Sequence, residues 1–238
     1  MIILTERLQA IADNIGREEK IADIGTDHGY LPLYLYEKYR GSSEKIIMAD
    51  VSKGSLSKAE ENFQRLFPDE YELYKKSPQS KSSVIELRLG DGLDVLDYGE
   101  VDTVIMAGIG GLLMIEIMDW DISKTISYKK FILQPRNNGG ALRRYLFENG
   151  INVEKLLIIP EDKRFCEIMI CKTHERYTGR KDSFHLDDIY FDYPDAFRDI
   201  LQDEAGDSIM RRNTEIEGIP RYKEYLDIKN TELKEMMK

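Results

Sequence analysis

The feature that most constrains this chain is an alternation. Over roughly the first 170 residues, short β-rich runs take turns with helical patterns. Residues 21–24 form a strand pattern, followed by a loop at 25–30 and a helix over 31–39. Residues 45–50 are a second strand, and 53–66 carry Leu56, Ala59, Phe63 and Leu66 at helical spacing. Further strands are expected at 84–89, 101–107 and 131–134, with helices at 112–118 and 141–148. Two last runs, 152–159 and 165–172, flank the turn-forming Pro160-Glu161-Asp162-Lys163 and read as a hairpin. Strands alternating with helices predict a mostly parallel sheet covered on both faces, here seven-stranded, with the hairpin adding an antiparallel edge. Residues 67–83, rich in Pro, Ser, Lys and Tyr, read as a surface insertion.

The strand ends share a chemistry. In an open α/β sheet, ligands bind beyond the carboxyl ends of the strands, near the point where the winding reverses. The first strand end is Asp23-Ile24-Gly25-Thr26-Asp27-His28-Gly29-Tyr30-Leu31-Pro32. Gly25 and Gly29 permit a tight turn and close backbone approach. The loop is not the G-x-G-x-x-G of a pyrophosphate site, because Asp27 occupies the middle position. A carboxylate there suits an ammonium or sulfonium ligand and disfavours a nicotinamide dinucleotide. Asp50 ends the second strand, 27 positions after Asp23. It is placed either to accept ribose hydroxyls or to cap the following helix. Gly90-Asp91-Gly92 ends the third strand, as an adenine-reading turn or as an ordinary one. Taken in order on successive strands, the three elements describe a pocket for S-adenosylmethionine.

Hydrophobic residues at 42% and charged residues at 33% fit a packed core with a solvated surface. The net charge of −10 makes broad, non-specific coating of nucleic acid improbable, while leaving room for a local basic face. No run approaches the roughly 18 apolar residues that span a bilayer, and residues 1–7 lack the pattern of a signal peptide. Cys166 and Cys171 lie five apart in one strand run, so they point to opposite faces and should not bridge. His174 and His185 lack metal-ligand spacing with them, so no metal is expected. These features suggest a reduced, cytoplasmic protein without a membrane partner, most simply a monomer. Beyond about residue 173 the β-runs cease. The expected domains are therefore 1–173, holding the cofactor, and 174–238, a linker and a C-terminal helical, coiled-coil-like hairpin over 195–238.

Four motifs together resemble the bacterial tRNA (adenine-N1)-methyltransferases that act on position 22 of tRNA. They are the Asp23–Pro32 loop, Arg88-Leu89-Gly90-Asp91-Gly92-Leu93, Ala107-Gly108-Ile109-Gly110-Gly111 and Ile132-Leu133-Gln134-Pro135. The resemblance runs from Leu4-Thr5-Glu6-Arg7-Leu8 to Cys166-Glu167-Ile168. It implies a Rossmann-like class I methyltransferase domain followed by a helical hairpin, with S-adenosylmethionine as cofactor and tRNA as partner. That family usually has Asn directly after Leu-Gln-Pro, whereas here Arg136 intervenes and Asn137 follows. The candidate cofactor residues are Asp23, Gly25, Thr26, Gly29, Asp50, Val51, Gly90, Asp91, Gly92, Ala107 and Gly108. The candidate substrate residues are Gly110, Gln134, Arg136, Asn137, Arg143 and Arg144. Lys163, Arg164, Arg211 and Arg212 could add phosphate contacts, or, like each of the other arginines, be solvated surface charges.

Adenine N1 has an in-plane lone pair and is itself the nucleophile, so no base is needed to begin methyl transfer. The product ring is cationic, and an acceptor or carboxylate placed where that charge develops lowers the barrier. Asp27 is the first candidate for this role, or else it grips the ammonium of the cofactor. His28 orients Asp27, takes a proton from the exocyclic amine, or is simply structural. Tyr30 either stacks on a base or packs the helix start. Two other readings remain in play: a methyltransferase for another substrate, and a catalytically silent RNA-binding protein that keeps the cofactor fold.

Overall fold

The computed structural model describes residues 1–39, 45–76, 83–161 and 164–173. The helical hairpin expected at 195–238 lies outside the described residues, as do Lys163, His174, His185, Arg211 and Arg212. The elements in chain order are α1 (Glu6–Ala12), β1 (Ile21–Ile24), α2 (Tyr30–Lys38), β2 (Ile46–Asp50), α3 (Lys53–Leu66), α4 (Pro68–Lys76) and β3 (Ile85–Leu89). After a 3-10 turn at Gly92–Val95 come β4 (Thr103–Ile109), α5 (Gly111–Asp119), α6 (Ile122–Thr125), β5 (Lys130–Pro135) and α7 (Gly139–Glu148). The described region closes with β6 (Asn152–Glu161) and β7 (Arg164–Lys172).

The strands form one seven-stranded sheet in the order β3-β2-β1-β4-β5-β7-β6. β1 through β5 pair in parallel. β7 runs antiparallel to both β5 and β6, so the hairpin inserts its second strand and leaves its first at the edge. Because helices cover both faces, the central strands are apolar on both sides. Alternate residues then feed two cores. Ala22, Ile47, Ala49, Val104 and Met106 join Met114, Met118, Leu142 and Leu146 on one face. Ile21, Ile46, Met48 and Ile105 meet Ile11, Leu33, Leu35 and Phe63 on the other.

Helix starts are set locally. Thr5 accepts from the Leu8 amide at α1 and Ser52 from the Ser55 amide at α3. α1 was not anticipated from the sequence pattern. The expectation of a surface insertion at 67–83 also needs correction, because most of that stretch is α4. Pro68 opens the helix, acidic Asp69 and Glu70 follow, and Lys75 and Lys76 close it, each at the dipole end that suits it. Tyr71 is buried edge-on against Phe63 at 5.4 Å. The Glu70 carboxylate accepts from the Tyr36 and Ser83 hydroxyls and the Val84 amide, which ties α4 to α2 and to the start of β3. The composition was that of a loop; one buried aromatic and one shared acceptor make it part of the domain.

At the β3 edge, Arg88 holds the chain in the conformation the next loop needs. Its Nη1 donates to Val95 O and to Glu100 Oε2, each at 2.7 Å, and its Nη2 to Glu100 Oε1 at 2.7 Å. Glu86 accepts from the same guanidinium, and Lys45 Nζ bridges Glu86 and Glu100. Burial alone would raise the Glu100 pKa, but the hydrogen bonds from Arg88 and Lys45 outweigh it and hold the carboxyl at about 2. About a quarter of the Arg88 side chain (24%) is exposed, so solvent screens part of the interaction. Arg88→Met should therefore cost roughly 2–3 kcal/mol, less than the removal of one partner from a fully buried pair. A carboxyl with a depressed folded pKa stabilises fully above its unfolded value, and the benefit fades as pH falls. The gap between wild type and Arg88→Met in urea unfolding should thus be full above pH 4.5 and shrink towards pH 2.

Candidate active site

The carboxyl ends of β1, β2, β3 and β4 converge where the winding reverses, between neighbouring β1 and β4. There they enclose a cleft of about 650 Å³. Its wall includes Asp23, Gly25, Thr26, Asp27, His28, Asp50, Val51, Gly90, Asp91, Gly92, Ala107 and Gly108. Those residues come from four separate strand ends, brought together by the parallel register alone.

The β1 loop takes its shape from left-handed residues: Gly25 at φ +81°, Asp27 at +44° and Gly29 at +69°. The Gly25 and Thr26 amides both donate to Ala49 O, at 2.9 and 3.0 Å, which seats the loop on the end of β2. Gly29 stands behind the cleft wall, where it lets α2 start close to α3. A Cβ at Gly29 would meet Met48 Sδ at 2.9 Å and Ala59 Cβ at 3.1 Å.

Asp50 Oδ1 accepts from the Ser52 amide at 2.7 Å, while Ser52, not Asp50, caps α3. The Asp50 carboxylate therefore keeps acceptor capacity towards the cleft. Asp91 precedes the 3-10 turn but makes no side-chain cap bond with it. Gly90 and Gly92 lie too close to Val95 and Ile117 for a side chain, with a Cβ there reaching 2.6 and 2.9 Å. Gly108, at φ +77°, sits at a bulge in the β4–β5 pairing.

The cleft is strongly acidic. Asp23 is buried, and burial first, then the Asp50 charge, push its carboxyl up to about 6 against the pull of the nearby Thr26 hydroxyl. Thr26 Oγ1 is itself buried without a hydrogen-bond partner among the described residues. Asp27 is exposed at the rim, with Lys58 Nζ at 3.3 Å and His28 Nε2 at 3.5 Å from its two oxygens. Tyr30, the first residue of α2, is 41% exposed and stacks on His28 with ring centroids 5.7 Å apart.

The candidate substrate residues scatter more widely. Gly110 and Gly111 allow the loops after β4 and β5 to touch: the Gly111 amide donates to Asn137 O at 3.0 Å, and a Cβ at Gly111 would collide with that oxygen at 2.7 Å. Arg136 and Asn137 are exposed on this junction, and Arg144 is half-buried on α7. Arg143 departs from the expectation. Its side chain is buried and ion-paired with Glu167, so it braces α7 against β7 instead of facing a polyanion. Gln134 is also buried, and its amide nitrogen donates to Pro135 O. Sequence reasoning missed Arg7 and Leu8 of α1, and Ile109, Leu113 and Ile117 beside β4, all of which line the cleft. Both cysteines are free, as their opposite facing required, and burial pushes the Cys166 thiol up to about 12. Among the described residues no cluster of His, Cys, Asp or Glu could hold a metal ion, and no helix is long and apolar enough to cross a membrane.

A doubly wound sheet with glycine-lined, carboxylate-bearing strand ends at its switch point defines a Rossmann-like domain with a nucleoside-sized cleft. The family model for the methyltransferase domain matches residues 4–169, and the chain belongs to that family. A tRNA (adenine(22)-N(1))-methyltransferase of Bacillus subtilis (strain 168) is 28% identical over 173 residues, which are 73% of this chain and 66% of that protein. The chain spans just under two thirds of the length of the curated relatives it matches, at 66% of each. Among solved structures, the B. subtilis m1A22 tRNA methyltransferase TrmK superposes with a TM-score of 0.64 at 23% identity, covering 88% of this chain and 92% of that one. M. capricolum TrmK, solved with S-adenosylhomocysteine, gives 0.61 at 21% identity, covering 96% and 94%. At these identities the two structures establish the fold.

The raised pKa of Asp23 has a measurable consequence. A carboxyl whose folded pKa exceeds its unfolded value favours folding in its neutral form; that advantage is complete below pH 3.8 and lost by about pH 6. Asp23→Asn removes the buried charge. In the ligand-free protein it should raise stability at pH 8 by up to about 3 kcal/mol, at about 1.4 kcal/mol per pH unit, and give no gain near pH 3.5. Paired thermal melts at the two pH values test this.

Proposed function

We propose that this chain transfers a methyl group from S-adenosylmethionine to N1 of adenine 22 in tRNA. The observation that carries the reading is the set of carboxylates and bare backbone on successive strand ends around one cleft, on a chain of the methyltransferase-domain family. The likeness to the B. subtilis tRNA enzyme supports the choice of substrate.

The residues present fit the cofactor. Asp50 retains acceptor capacity for ribose hydroxyls, Gly25 and Gly108 leave room for close approach, and the buried Thr26 hydroxyl lacks a partner that a ligand could supply. When bound, S-adenosylmethionine supplies a methyl group on a cationic sulfur, which adenine N1 can attack directly. The protein's task is then positioning and electrostatics. The stacked His28–Tyr30 pair at the rim offers a platform for a base turned out of the tRNA stack. Asp27, fixed beside it, places a carboxylate where the adenine acquires positive charge, and Lys58 and His28 hold that carboxylate in place. Arg136 and Arg144, on the loop and helix after β5, supply positive charge for phosphates. Residues 195–238 are proposed to hold the tRNA body, and the protein to act as a monomer in the cytoplasm. A chain shortened after Thr173 should then keep cofactor affinity and lose tRNA methylation.

Nucleoside analysis of tRNA incubated with the protein and labelled cofactor should show 1-methyladenosine at position 22. Cofactor binding without transfer would mark a silent binding protein instead. Asp50→Ala should weaken cofactor binding about ten-fold or more, since losing one buried polar partner costs about 1–3 kcal/mol; unchanged affinity by calorimetry removes Asp50 from the site. For Asp27→Asn, turnover at saturation should fall on the order of ten- to a thousand-fold with affinities near wild type. Normal turnover with weakened cofactor binding would make Asp27 a cofactor ligand.

A further inference from the structure

The first turn of α5 carries an apolar side chain out towards solvent. Met114 and Met118 are fully buried and fix the inward face of this helix. Leu113 and Ile117, one residue before each, turn towards the cleft and line it. Leu112, two positions before Met114, falls on the face turned away from the sheet and is 58% exposed. It is not part of the cleft lining, so it stands just outside the cofactor residues, one position from Leu113 at the cleft mouth. The turn that presents it is held on both sides. The Gly111 amide donates to Asn137 O, and the Arg136 amide donates to Ile109 O at 2.8 Å, which fastens the start of α5 to the loop after β5. Arg136 is exposed on that loop, so one junction presents both a large apolar group and a cation. On the opposite bank, in the loop after β1, stands the His28–Tyr30 stack.

Adenine 22 lies in a base-paired stem of tRNA, where N1 is engaged in the pair and out of reach until the base leaves the stack. The departing base gives up stacking and pairing, and it swings back unless something occupies the space it left. Proteins that unstack nucleic acids fill such spaces with apolar side chains, leucine among them. A single exposed leucine is ordinary on a protein surface. This one is held at the mouth of the cleft the base must enter, on the same junction as an exposed arginine. Its apolar side chain suits the faces of neighbouring bases, and Arg136 suits the adjoining phosphates. We propose that Leu112 is a wedge that enters the tRNA stack where adenine 22 leaves it. It is a positioning residue for methyl transfer and touches neither the cofactor nor the reacting atoms. This rests on the reading that adenine 22 of tRNA is the substrate. A partner protein is the competing occupant, but the patch adjoins the cleft through Leu113, and Arg136 gives it the charge that suits a polyanion.

Two tRNAs test this with the full chain: one with adenine 22 paired, and one with the opposing nucleotide made abasic, so that the base leaves the stack more easily. Wild-type methylation at adenine 22 is measured first; if it is absent, the functional reading fails and the wedge falls with it. Given that activity, Leu112→Ser should lower turnover at saturating paired tRNA about 10- to 100-fold. On the abasic tRNA its deficit against wild type should shrink to within about three-fold, a rescue that a misfolded helix would not show. Leu112→Met, apolar and of similar volume, should stay within about three-fold on both. Calorimetric binding of S-adenosylhomocysteine to Leu112→Ser should match wild type within about two-fold, which shows that the variant is folded. The fluorescence of 2-aminopurine at position 22 reports unstacking without chemistry: it should rise on binding the wild type and rise less with Leu112→Ser. Equal deficits on the two tRNAs would overturn the assignment. So would normal turnover of Leu112→Ser on the paired tRNA, which would leave the patch to a protein partner.

Discussion

The structure depends on the gap between β1 and β4. Crossovers from β1 through β3 wind outward to one side and those from β4 onward to the other, so these adjacent strands send their loops in opposite directions. Among the described residues no connection closes over the space between them. Backbone amides and short side chains at that edge are left facing a cavity and not a helix, and this is where glycines and aspartates concentrate. The two cores beneath, one on each face of the sheet, keep the strand ends rigid enough for the edge to be a site.

Charge at this edge is balanced in an unequal way. Several carboxylates share a small volume with Asp23 buried among them, and its raised pKa reflects the cost of that burial first and of the nearby Asp50 charge second, in the free protein. A cationic ligand relieves the cost, which places binding affinity and protein stability in opposition at Asp23. Away from the cleft, the carboxylates are spent differently: Glu86 and Glu100 on Arg88, and Glu167 on Arg143. In those pairs charge serves the frame and not the ligand.

The order of the strands, the four longer helices that follow β1, β2, β4 and β5, and the cleft lining on the first four strand ends were legible in the sequence. Each of those four strands is a short β-rich run that ends in Asp or at a Gly. α4 was hidden because its evidence is tertiary: Tyr71 matters through Phe63, and Glu70 through partners on α2 and β3. Arg143 and Arg144 are indistinguishable as neighbouring basic residues, and only the helical turn decides that the first points inward to Glu167. Arg7 was invisible for a similar reason. A lone arginine in a short first helix carries no local signal, and its partners lie 127 and 154 positions away.

That separation has a consequence for how the cleft comes into being. During synthesis Arg7 emerges 127 residues before Gln134 and 154 before Glu161, the groups that hold it. Contacts this distant along the chain form late, because the intervening loop must close before they are rewarded. A partly made chain can therefore assemble the acidic side of the cleft while its one fixed cation still swings free. A chain that stops short of β6 lacks Glu161, so the site acquires its full set of contacts to Arg7 only when that edge of the sheet has been made.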